Sequence, residues 1–483
     1  MQHTSTARRQ GSVLGCILSQ FPRYDEAFIL RELVALSHGP QELAIFSLRP
    51  CRDRVVHNQA TALIPQTRYA PFVWSAALWR SHASFLTRSP RAYWGALGWI
   101  FSRHWNHPVI LMKTLAFFPK TVHFARLALE GGVTHLHAFW ATYPAASAML
   151  MSRLTGIPYS VSGHAHDIHT TNPTLVEKIR GAQFIVTCTE DNRRRLESLL
   201  NGAGGGERGA GEQTAASHRT PVVVSYHGVD LSRFAPVQKS GGETCRLLVV
   251  GSLFPCKGLE TLVETCRLLR DRGMRVACTM AGGGPLERSL RRLIAKHGLG
   301  ATVEITGYVS QERVAVMYQQ AHLFVLPLVS KIHWGIPNVL IEALATKTPV
   351  ICCDLPSMRE LIEHGRSGWI IPEDDPAALA DAVTTLWADP ARRAAMAELG
   401  YQRVAERFSL ERTGEALRRL FAGSLAALQE SRRASLDSHR PGGRARSAPS
   451  TPLSAEARAK SRDSGFRPTA GQEGTMDSTR GAP

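Results

Sequence analysis

The stretch LLVVGSLFPCKGLETLVE, residues 247–264, decides the fold of this chain. It begins with a short apolar run that ends in a glycine, continues through a loop that carries Lys257 and Gly258, and ends in an amphipathic helical pattern. Continuous apolar runs of this length are typical of parallel strands that are covered on both faces. The stretch therefore predicts one strand–loop–helix unit of a doubly wound α/β sheet.

The same alternation extends over most of the chain. Helical patterns, such as those over residues 259–270 and 285–297, separate the apolar runs as in a β-α-β arrangement. The runs form two series, which predict two Rossmann-like domains with a boundary near residues 232–242 and a ligand cleft between the carboxyl ends of their sheets. The predicted strands are 13–18, 43–47, 133–137, 159–162, 184–188 and 222–225 in the first series, and 247–250, 276–281, 303–306, 323–326, 349–352 and 369–371 in the second.

Composition places the chain among ordinary globular proteins. Its 483 residues suit two or three domains, and 44% of them are hydrophobic while 20% are charged. The formal net charge of +17 favours polyanionic partners, which include nucleic acid, an anionic membrane face and phosphorylated small molecules. Residues 431–483 hold ten Lys or Arg against five Asp or Glu, so they account for +5 of this charge. The basic character therefore belongs mainly to the part that is expected to fold.

The cysteines and the apolar runs indicate the compartment. The nine cysteines are scattered and form no C-x-x-C pair, which favours a reducing environment over a disulfide framework or a zinc ribbon. The apolar stretch near the N-terminus is interpreted as a first buried strand and not as a signal peptide. No run of about 18 apolar residues predicts a spanning helix. We therefore expect a cytoplasmic protein, with contact to the inner face of the cytoplasmic membrane left open.

Three segments depart from the α/β alternation. Residues 201–220 are rich in glycine and polar side chains and are expected to form a mobile surface loop. Residues 431–483 lack apolar periodicity and are expected to form a disordered basic tail. Residues 70–129 predict either helices packed on the first domain, which we favour, or an interfacial face with Trp at headgroup depth and Arg on anionic lipid. This last segment holds five of the nine tryptophans, Trp74, Trp79, Trp94, Trp99 and Trp105.

Two glycine-containing turns of the second half are candidate phosphate sites. Lys257 lies at the end of a predicted parallel strand and beside a helix N-terminus, where a lysine is well placed to hold a phosphate. The alternative is an exposed loop lysine. Gly282 and Gly283 of MAGGGPLERSL follow the next predicted strand and permit a ligand to approach the backbone closely. They do not complete a phosphate-loop signature, because no G-K-[ST] follows.

The stretch HWGIPNVLIEALATKTPVI is a third candidate. Gly335 and Pro337 precede a predicted helix over residues 338–345, and proline suits the first helical turn. The free N–H groups of that turn can hold a diphosphate. Glu342, one turn further on, can accept hydrogen bonds from ribose hydroxyls. Taken by itself, Glu342 is more simply interpreted as a solvated helix carboxylate.

Histidines lie at the end of one predicted strand of the first half and just past another. THLHAFW carries His135 and His137, and PYSVSGHAHDIHT carries His164, Asp167 and two further histidines. The i, i+2 spacing suggests a metal, but a metal site usually needs a third rigid ligand, and loop histidines more often hydrogen-bond substrate or backbone. We therefore expect no metal here, and a contact between a strand-end histidine and a sugar hydroxyl or phosphate oxygen.

Together these pieces resemble the large group-1 (family 4) glycosyltransferases, and within them the exopolysaccharide and colanic-acid biosynthesis branch. The resemblance covers roughly residues 12–425, and VAERFSLERTGEALRRLF is similar to the family's last helix, which crosses back to the first domain. It implies an α/β chain with the GT-B fold, two Rossmann-like domains that face each other across a cleft. The other similar stretches are LSQFPRYDEAFILREL, HLHAFWATYPAASAMLMSRLTGIPYSVSGHAHDI, YHGVDLSRF, GIPNVLIEALATKTPVI and SMRELIEHGRSGWIIPEDDPAALADAV.

The resemblance also implies a domain plan and an activity. The plan is an N-terminal acceptor-side domain over residues 12–231, a nucleotide-sugar-binding domain over 243–405, a return helix over 406–430 and the tail. The activity is hexosyltransferase-type, a retaining transfer from a nucleotide-sugar donor to a saccharide or lipid-linked acceptor, with no metal or other cofactor required. Lys257 is expected to neutralise the departing diphosphate, and His164 to lie beside the donor sugar. The implied donor-binding residues are Gly251, Ser252, Gly282, Gly283, Trp334, Gly335, Ile336, Pro337, Asn338 and the ribose-binding Glu342, and the implied acceptor-side residues are Gly15, Glu26, His137 and Asp167.

Three positions depart from the family pattern. Ser252 stands where the family has arginine, Trp334 where it has the first of two glutamates, and Lys347 where it has glycine. Loss of one electrostatic stabiliser commonly lowers a rate by about 100- to 1000-fold. Lys347 as a substitute cation and Trp334 stacked on a sugar are hypotheses for a rescue. The alternative to an active enzyme is a catalytically silent GT-B subunit that binds or scaffolds a polysaccharide assembly complex. Nucleic-acid binding is not expected, because no recognition motif accompanies the basic tail.

Overall fold

The structure is a computed structural model that describes residues 12–23, 26–51, 58–72, 74–202, 220–239, 241–329 and 335–438. By its internal contacts the chain divides into a unit over Met1–Ala426 and a unit over Ala427–Pro483. The first unit contains both predicted Rossmann-like domains. Residues 203–219 of the predicted loop and 439–483 of the predicted tail lie outside the described residues.

The described part of the first domain is built on a parallel sheet with the strand order β3-β2-β1-β4-β5-β6-β7. All six strands predicted from the apolar runs are confirmed, with ends that differ by at most one residue. The edge strand β3 was not predicted, because its sequence TRY has no apolar run. The strands are β1 (Val13–Leu18), β2 (Glu42–Ser47), β3 (Thr67–Tyr69), β4 (Val133–Ala138), β5 (Tyr159–Gly163), β6 (Ile185–Thr187) and β7 (Val222–Val224).

The described part of the second domain is built on a parallel sheet with the strand order β10-β9-β8-β11-β12-β13. All six predicted strands are again confirmed. The order reverses between β8 and β11, which is where a doubly wound sheet opens a ligand crevice at the carboxyl ends of its strands. The strands are β8 (Cys245–Val250), β9 (Val276–Ala281), β10 (Val303–Gly307), β11 (Leu323–Leu326), β12 (Val350–Cys353) and β13 (Trp369–Ile371).

Helices connect the strands in both domains. The first domain has α1 (Ala27–Ser37), α2 (Asn58–Thr61), α3 (Ala76–Arg88), α4 (Pro90–His104), α5 (Pro108–Glu130), α6 (Tyr143–Thr155), α7 (Ala165–His169), α8 (Leu175–Arg180) and α9 (Glu190–Gly202), with a 3₁₀ turn at Ile64–Gln66. The second part has α10 (Leu259–Asp271), α11 (Glu287–Lys296), α12 (Gln311–Gln320), α13 (Asn338–Ala345), α14 (Met358–Leu361), α15 (Pro376–Ala388), α16 (Pro390–Arg407) and α17 (Leu410–Ser438), with a 3₁₀ turn at Pro255–Lys257.

The last helix, α17, begins at Leu410 and packs back on the first domain. Its side chains Leu417 and Phe421 are buried in the cluster that contains Leu14 and Leu33 on one face of the first sheet. Full burial of a side chain such as Phe421 stabilises the folded state by about 2–3 kcal/mol. The helix extends to Ser438, into the segment predicted to be disordered, because no proline interrupts it before residue 441.

Two side chains connect the domains near the cleft. Glu360, on α14 of the second domain, accepts hydrogen bonds from the backbone N–H groups of Glu190 and Asp191 at 2.8 and 3.0 Å. These N–H groups open α9 of the first domain, so a carboxylate there also complements the helix dipole. Arg31, on α1 of the first domain, donates to the carboxylate of Glu342, on α13 of the second domain, at 3.4 Å. These contacts hold the two domains together beside the cleft.

The tryptophan-rich segment forms α3, α4 and the start of α5, and it divides into a buried and an exposed part. Trp99 is buried and its indole N–H donates to Glu177 at 2.7 Å, as expected for helices packed on the domain. The other four tryptophans are exposed, two on α3 and α4 and two in the residues that flank these helices. Among the described helices, none combines the length and the apolar character that crossing a membrane requires.

Candidate active site

Lys257 lies in the loop that follows β8, at the carboxyl edge of the second sheet. The loop ends in the 3₁₀ turn at Pro255–Lys257, and the Lys257 side chain folds back so that its Cε stands 3.8 Å from where a Cβ on Gly251 would lie. Burial lowers the pKa of Lys257 from its ordinary value. A partly desolvated ammonium interacts more strongly with an anion than one in water, so this position suits a phosphate.

Gly258 holds that lysine in place. Its φ of +59° is in the left-handed region, and a Cβ at this position would stand 1.7 Å from the carbonyl oxygen of Pro327. Pro327 directly follows β11, and Val329 donates to the Cys256 carbonyl at 3.1 Å. The loop after β8 is therefore clamped to the segment after β11, a contact that only a residue without a side chain permits.

The glycines after β9 bring a second loop against the first. A Cβ on Gly282 would stand 2.0 Å from the carbonyl oxygen of Gly251, and the N–H of Leu253 donates to the Gly283 carbonyl at 3.0 Å. Ser252 is half-buried between these residues, and its carbonyl accepts from the N–H of Phe254 at 2.9 Å. The structure thus brings the predicted donor-side residues of β8 and β9 together at one edge.

The segment Gly335–Pro337 of the second domain lies across the cleft from the first domain. A Cβ on Gly335 would stand 3.4 Å from the Cβ of Ala165, the neighbour of His164 in the first domain. Ile336 is buried, and α13 begins directly after Pro337 with its first-turn N–H groups toward this segment. Within the described residues, the buried Oδ1 of Asn338 has no hydrogen-bond partner. Trp334 lies outside the described residues.

Glu342 is not the solvated carboxylate that its isolated sequence context favours. Its Oε1 lies 3.4 Å from an Arg31 guanidinium nitrogen, and both side chains are 12% exposed. The Tyr318 hydroxyl donates to its Oε2 at 3.3 Å. Burial raises the pKa of Glu342, whereas the Arg31 guanidinium opposes this shift. Glu342 thus joins α13 of the second domain to α1 of the first.

His164 lies just past β5 and begins α7, on the first-domain side of the cleft. Its ring packs edge-on against Phe28 and Trp140, with ring centroids 5.0 and 4.7 Å away. Burial holds its pKa well below the ordinary value, so the imidazole is neutral at pH 7. In the part of the chain that the structure describes, neither ring nitrogen has a hydrogen-bond partner. Buried polar atoms usually have hydrogen-bond partners, so the two ring nitrogens of His164 are candidates for contacting a ligand.

Comparison with known proteins now decides the family. The family model described as glycosyl transferases group 1 matches residues 234–403. An alpha-D-kanosaminyltransferase of Streptomyces kanamyceticus is 30% identical over 306 residues, which are 59% of this chain and 76% of that protein. The chain belongs to the group-1 glycosyltransferases. The prediction made from the motifs is confirmed.

Two further similarities bear on the branch and the fold of this group-1 glycosyltransferase. A protein named for colanic acid biosynthesis glycosyltransfer in Escherichia coli is 37% identical over 166 residues, which are 34% of this chain. The chain therefore spans about two fifths, 41%, of the length of that relative. The Anabaena protein HepE, solved in complex with UDP, matches with a TM-score of 0.59 and 14% identity over 86% of this chain and 100% of that one. The predicted GT-B fold is confirmed.

Two of the predicted acceptor-side residues of this glycosyltransferase are core positions. Gly15 lies in the middle of β1, where a Cβ would stand 2.9 Å from Val133 and 3.0 Å from Leu136. His137 is 1% exposed, and its ring nitrogens lie 2.8 and 3.0 Å from the hydroxyls of Ser160 and Ser162. Both positions are packed inside the first domain, and an acceptor-side role for either residue stays a prediction.

The other two predicted acceptor-side residues contact neighbouring segments of the first domain. Glu26 immediately precedes α1 and lies 3.2 Å from the Arg23 guanidinium. Asp167 is fully buried, and its Oδ2 accepts from the N–H of Ala141. Burial raises the pKa of Asp167 to about 7 although backbone hydrogen bonds and Lys178 oppose the shift. Asp167 therefore ties α7, which follows His164, to the loop after β4.

Lys347 does not lie where it was suggested as a substitute cation. It follows α13 and precedes β12, at the amino edge of the second sheet, whereas Lys257 lies at the carboxyl edge. Its ammonium lies 2.6 Å from Glu398 and 5.0 Å from the Tyr401 ring. Its φ is +53°, so the backbone there adopts the left-handed conformation that favours the glycine of the family pattern.

Arg31 and His227 are site residues that the sequence reasoning missed. Arg31 stands three residues after Phe28 on α1, so both side chains lie on the same helix face, toward the cleft. The Phe28 ring is 5.0 Å from His164 and 4.5 Å from His227. The i, i+3 spacing of Phe28 and Arg31 in AFILRELVALS could have indicated that both side chains lie on one helix face.

Proposed function

We propose that this chain is a retaining glycosyltransferase that moves a sugar from a nucleotide-sugar to a saccharide acceptor in exopolysaccharide biosynthesis. The observation that carries the proposal is the approach of Gly335 to Ala165 at 3.4 Å, measured to the Cβ that glycine lacks. It sets the start of α13, on the donor side, directly opposite His164. The colanic acid relative supports the pathway class, and the UDP complex of HepE supports a nucleoside diphosphate donor.

The proposed chemistry needs positive charge where the donor bond breaks. As the bond between the anomeric carbon and the diphosphate oxygen breaks, its electron pair goes to the diphosphate. Lys257 and the N–H groups that begin α13 are aimed at that region, and such preorganised groups lower the barrier. The acceptor hydroxyl attacks the oxocarbenium-like carbon from the same face, and its proton passes to the leaving phosphate. Neutral His164 contacts the donor sugar in this scheme.

We further propose that transfer requires no metal. In many phosphate-transfer and glycosyl-transfer sites a divalent cation neutralises the leaving group. Here Lys257 and a helix N-terminus supply positive charge at that place, and Glu342 accepts from the ribose hydroxyls. Each of its oxygens has one protein partner, which leaves lone pairs for the ribose.

A lipid-linked acceptor at the cytoplasmic membrane face is the second part of the proposal. The outer side of α3 to α5 exposes large apolar side chains beside the exposed Arg91 and Lys113. Tryptophan with interleaved basic residues is typical of surfaces that bind anionic bilayers. The exposed apolar residues are Phe72, Trp74, Trp79, Trp94, Phe101, Trp105, Val109 and Met112.

A donor panel tests the activity. The purified chain is incubated with UDP-, GDP-, ADP- and dTDP-sugars, with a membrane lipid extract as acceptor source and with EDTA in a parallel series. We expect release of one nucleoside diphosphate, unchanged by EDTA, and a product whose anomeric configuration by NMR matches that of the donor. Nucleotide binding without release from any donor would instead support the silent scaffold subunit.

Vesicle flotation tests the membrane part. The variant that combines Trp94→Ser and Trp105→Ser is expected to lose binding to vesicles with phosphatidylglycerol. The matched control replaces Val316, an exposed apolar residue on α12 of the second domain, by Ser, and it is expected to bind as the unchanged chain does. Equal flotation of all three proteins would refute the docking surface.

A further inference from the structure

Three successive strands of the first sheet bring two imidazoles and a thiol together. His164 follows β5 directly, Cys188 follows β6 directly, and His227 lies three residues past β7. These strands are neighbours in the sheet and run parallel, so their carboxyl ends meet at one edge. One ligand atom from each side chain lies within 4.8 Å of the other two.

A carboxylate completes this group. Glu32, on α1, places its Oε1 3.4 Å from Nδ1 of His227. Asn192 donates toward the Cys188 sulfur at 3.6 Å, as an outer partner of a ligand does.

The polar atoms of this group are buried without full compensation. His164 is 6% exposed, and across the described ranges neither of its ring nitrogens is hydrogen-bonded. Leaving such atoms unsatisfied is costly, because each has lost its water.

We propose that His164, Cys188, His227 and Glu32 bind one tetrahedral divalent cation of borderline softness, of which Zn²⁺ is the representative. Two imidazole nitrogens, one thiolate and one carboxylate oxygen are ligands that this ion prefers. Ideal zinc–ligand lengths put nitrogen and sulfur ligand atoms roughly 3.3 to 3.6 Å apart, so His164, Cys188 and His227, whose ligand atoms lie within 4.8 Å of one another, move closer together on binding.

The ion would oppose transfer and not assist it. This step rests on the proposed function, in which His164 contacts the donor sugar. A metal-bound His164 is held against Cys188 and His227 and cannot turn toward the sugar. The site is therefore inhibitory, and it is compatible with a reaction that needs no metal.

Cobalt(II) titration of the full chain tests the site with a readout independent of turnover. We expect one Co²⁺ per chain, with the intense absorption of a tetrahedral ion and a thiolate charge-transfer band, both removed by one equivalent of Zn²⁺. Cys188→Ser is expected to abolish the thiolate band and to weaken Zn²⁺ at least about 10- to 100-fold, the loss that even outer-shell partners cause. Glu32→Gln is expected to weaken binding and keep the band. The control Cys51→Ser, at the half-buried thiol of the first domain, is expected to bind as the unchanged chain does.

Binding without a thiolate band, or equal Zn²⁺ affinity of Cys188→Ser and Cys51→Ser, would overturn the proposal. Circular dichroism of each variant identifies a folding defect, and Glu32→Gln then decides the outcome. If transfer is measurable, micromolar Zn²⁺ is expected to inhibit the unchanged chain and not Cys188→Ser. If no donor is turned over, the cobalt measurement still decides the metal site, so the two proposals fail separately.

Discussion

Replacement of Gly258 by alanine tests the link between the loop geometry and catalysis. A Cβ at Gly258 would stand 1.7 Å from the Pro327 carbonyl oxygen, and real Cβ contacts are not shorter than 3.0 Å. The loop must therefore move by at least about 1.3 Å. Lys257 is its immediate neighbour, so the ammonium moves with it. A displacement of about 1 Å at reacting groups can lower a rate about 100-fold.

Gly273 provides the matched control. It has a φ of +76°, close to the +59° of Gly258, but a Cβ there would meet nothing within 4 Å. Alanine at either position carries the cost of left-handed backbone, about 1–2 kcal/mol. Only Gly258→Ala adds the clash, for which overpacking data indicate a further 1–3 kcal/mol or so. The difference between the two variants isolates the contact with Pro327.

The assay combines thermal unfolding with initial rates of nucleotide release. Gly273→Ala is expected to unfold a few degrees earlier and to keep its turnover within about twofold, whereas Gly258→Ala unfolds earlier still and loses about 100-fold in kcat. Equal melting temperatures and equal kcat for the two variants would show that the loop after β8 does not need its contact with Pro327.

The remaining predictions concern charges. Lys257→Met is expected to lower kcat by about 100- to 1000-fold while Lys296→Met, at an exposed lysine of α11, leaves it unchanged; equal rates would remove Lys257 from the site. Lys347→Gly is expected to change the free energy of unfolding by less than about 1 kcal/mol. The variant loses the surface contacts of the lysine side chain, but glycine adopts the left-handed backbone at lower cost. A fall in kcat would instead support Lys347 as a substitute cation. Arg31→Met and Glu342→Gln are expected to couple by about 0.5–3 kcal/mol in a double-mutant cycle of unfolding, and additivity would contradict their ion pair.

The fold was predictable because apolar runs dominate buried parallel strands. Twelve strands were located from such runs, since a strand covered on both faces has few polar positions. β3 escaped because an edge strand with the sequence TRY needs no apolar run. The end of α17 was missed for a different reason. Its composition resembles a tail, and the helix continues through it where no proline or glycine intervenes.

The turn around Lys257 was easier to predict than the packing around the predicted acceptor-side residues. Lys257 and Gly258 lie in a turn whose glycine is required by one close contact, and such a turn is local in sequence. Gly15 and His137 were assigned to the acceptor side from the resemblance to the family, and a motif does not tell which neighbours pack around a residue. His137 points into the sheet face that Phe139 and Phe421 cover, and Phe421 is distant in sequence. Only tertiary packing reveals that contact.

Glu342 takes part in a contact that involves both domains. Sequence context made it a helix carboxylate in water or a ribose ligand, and neither interpretation anticipated Arg31 from the first domain. A carboxylate with two oxygens and about four lone-pair sites can keep Arg31 and Tyr318 and still accept from a ribose. Ser252 stands where the family has arginine, and the Arg31 guanidinium brings a positive charge to the cleft from the first domain. A movement that separates α1 from α13 would leave the Glu342 charge without this partner, so the ion pair favours the relative position of the two domains.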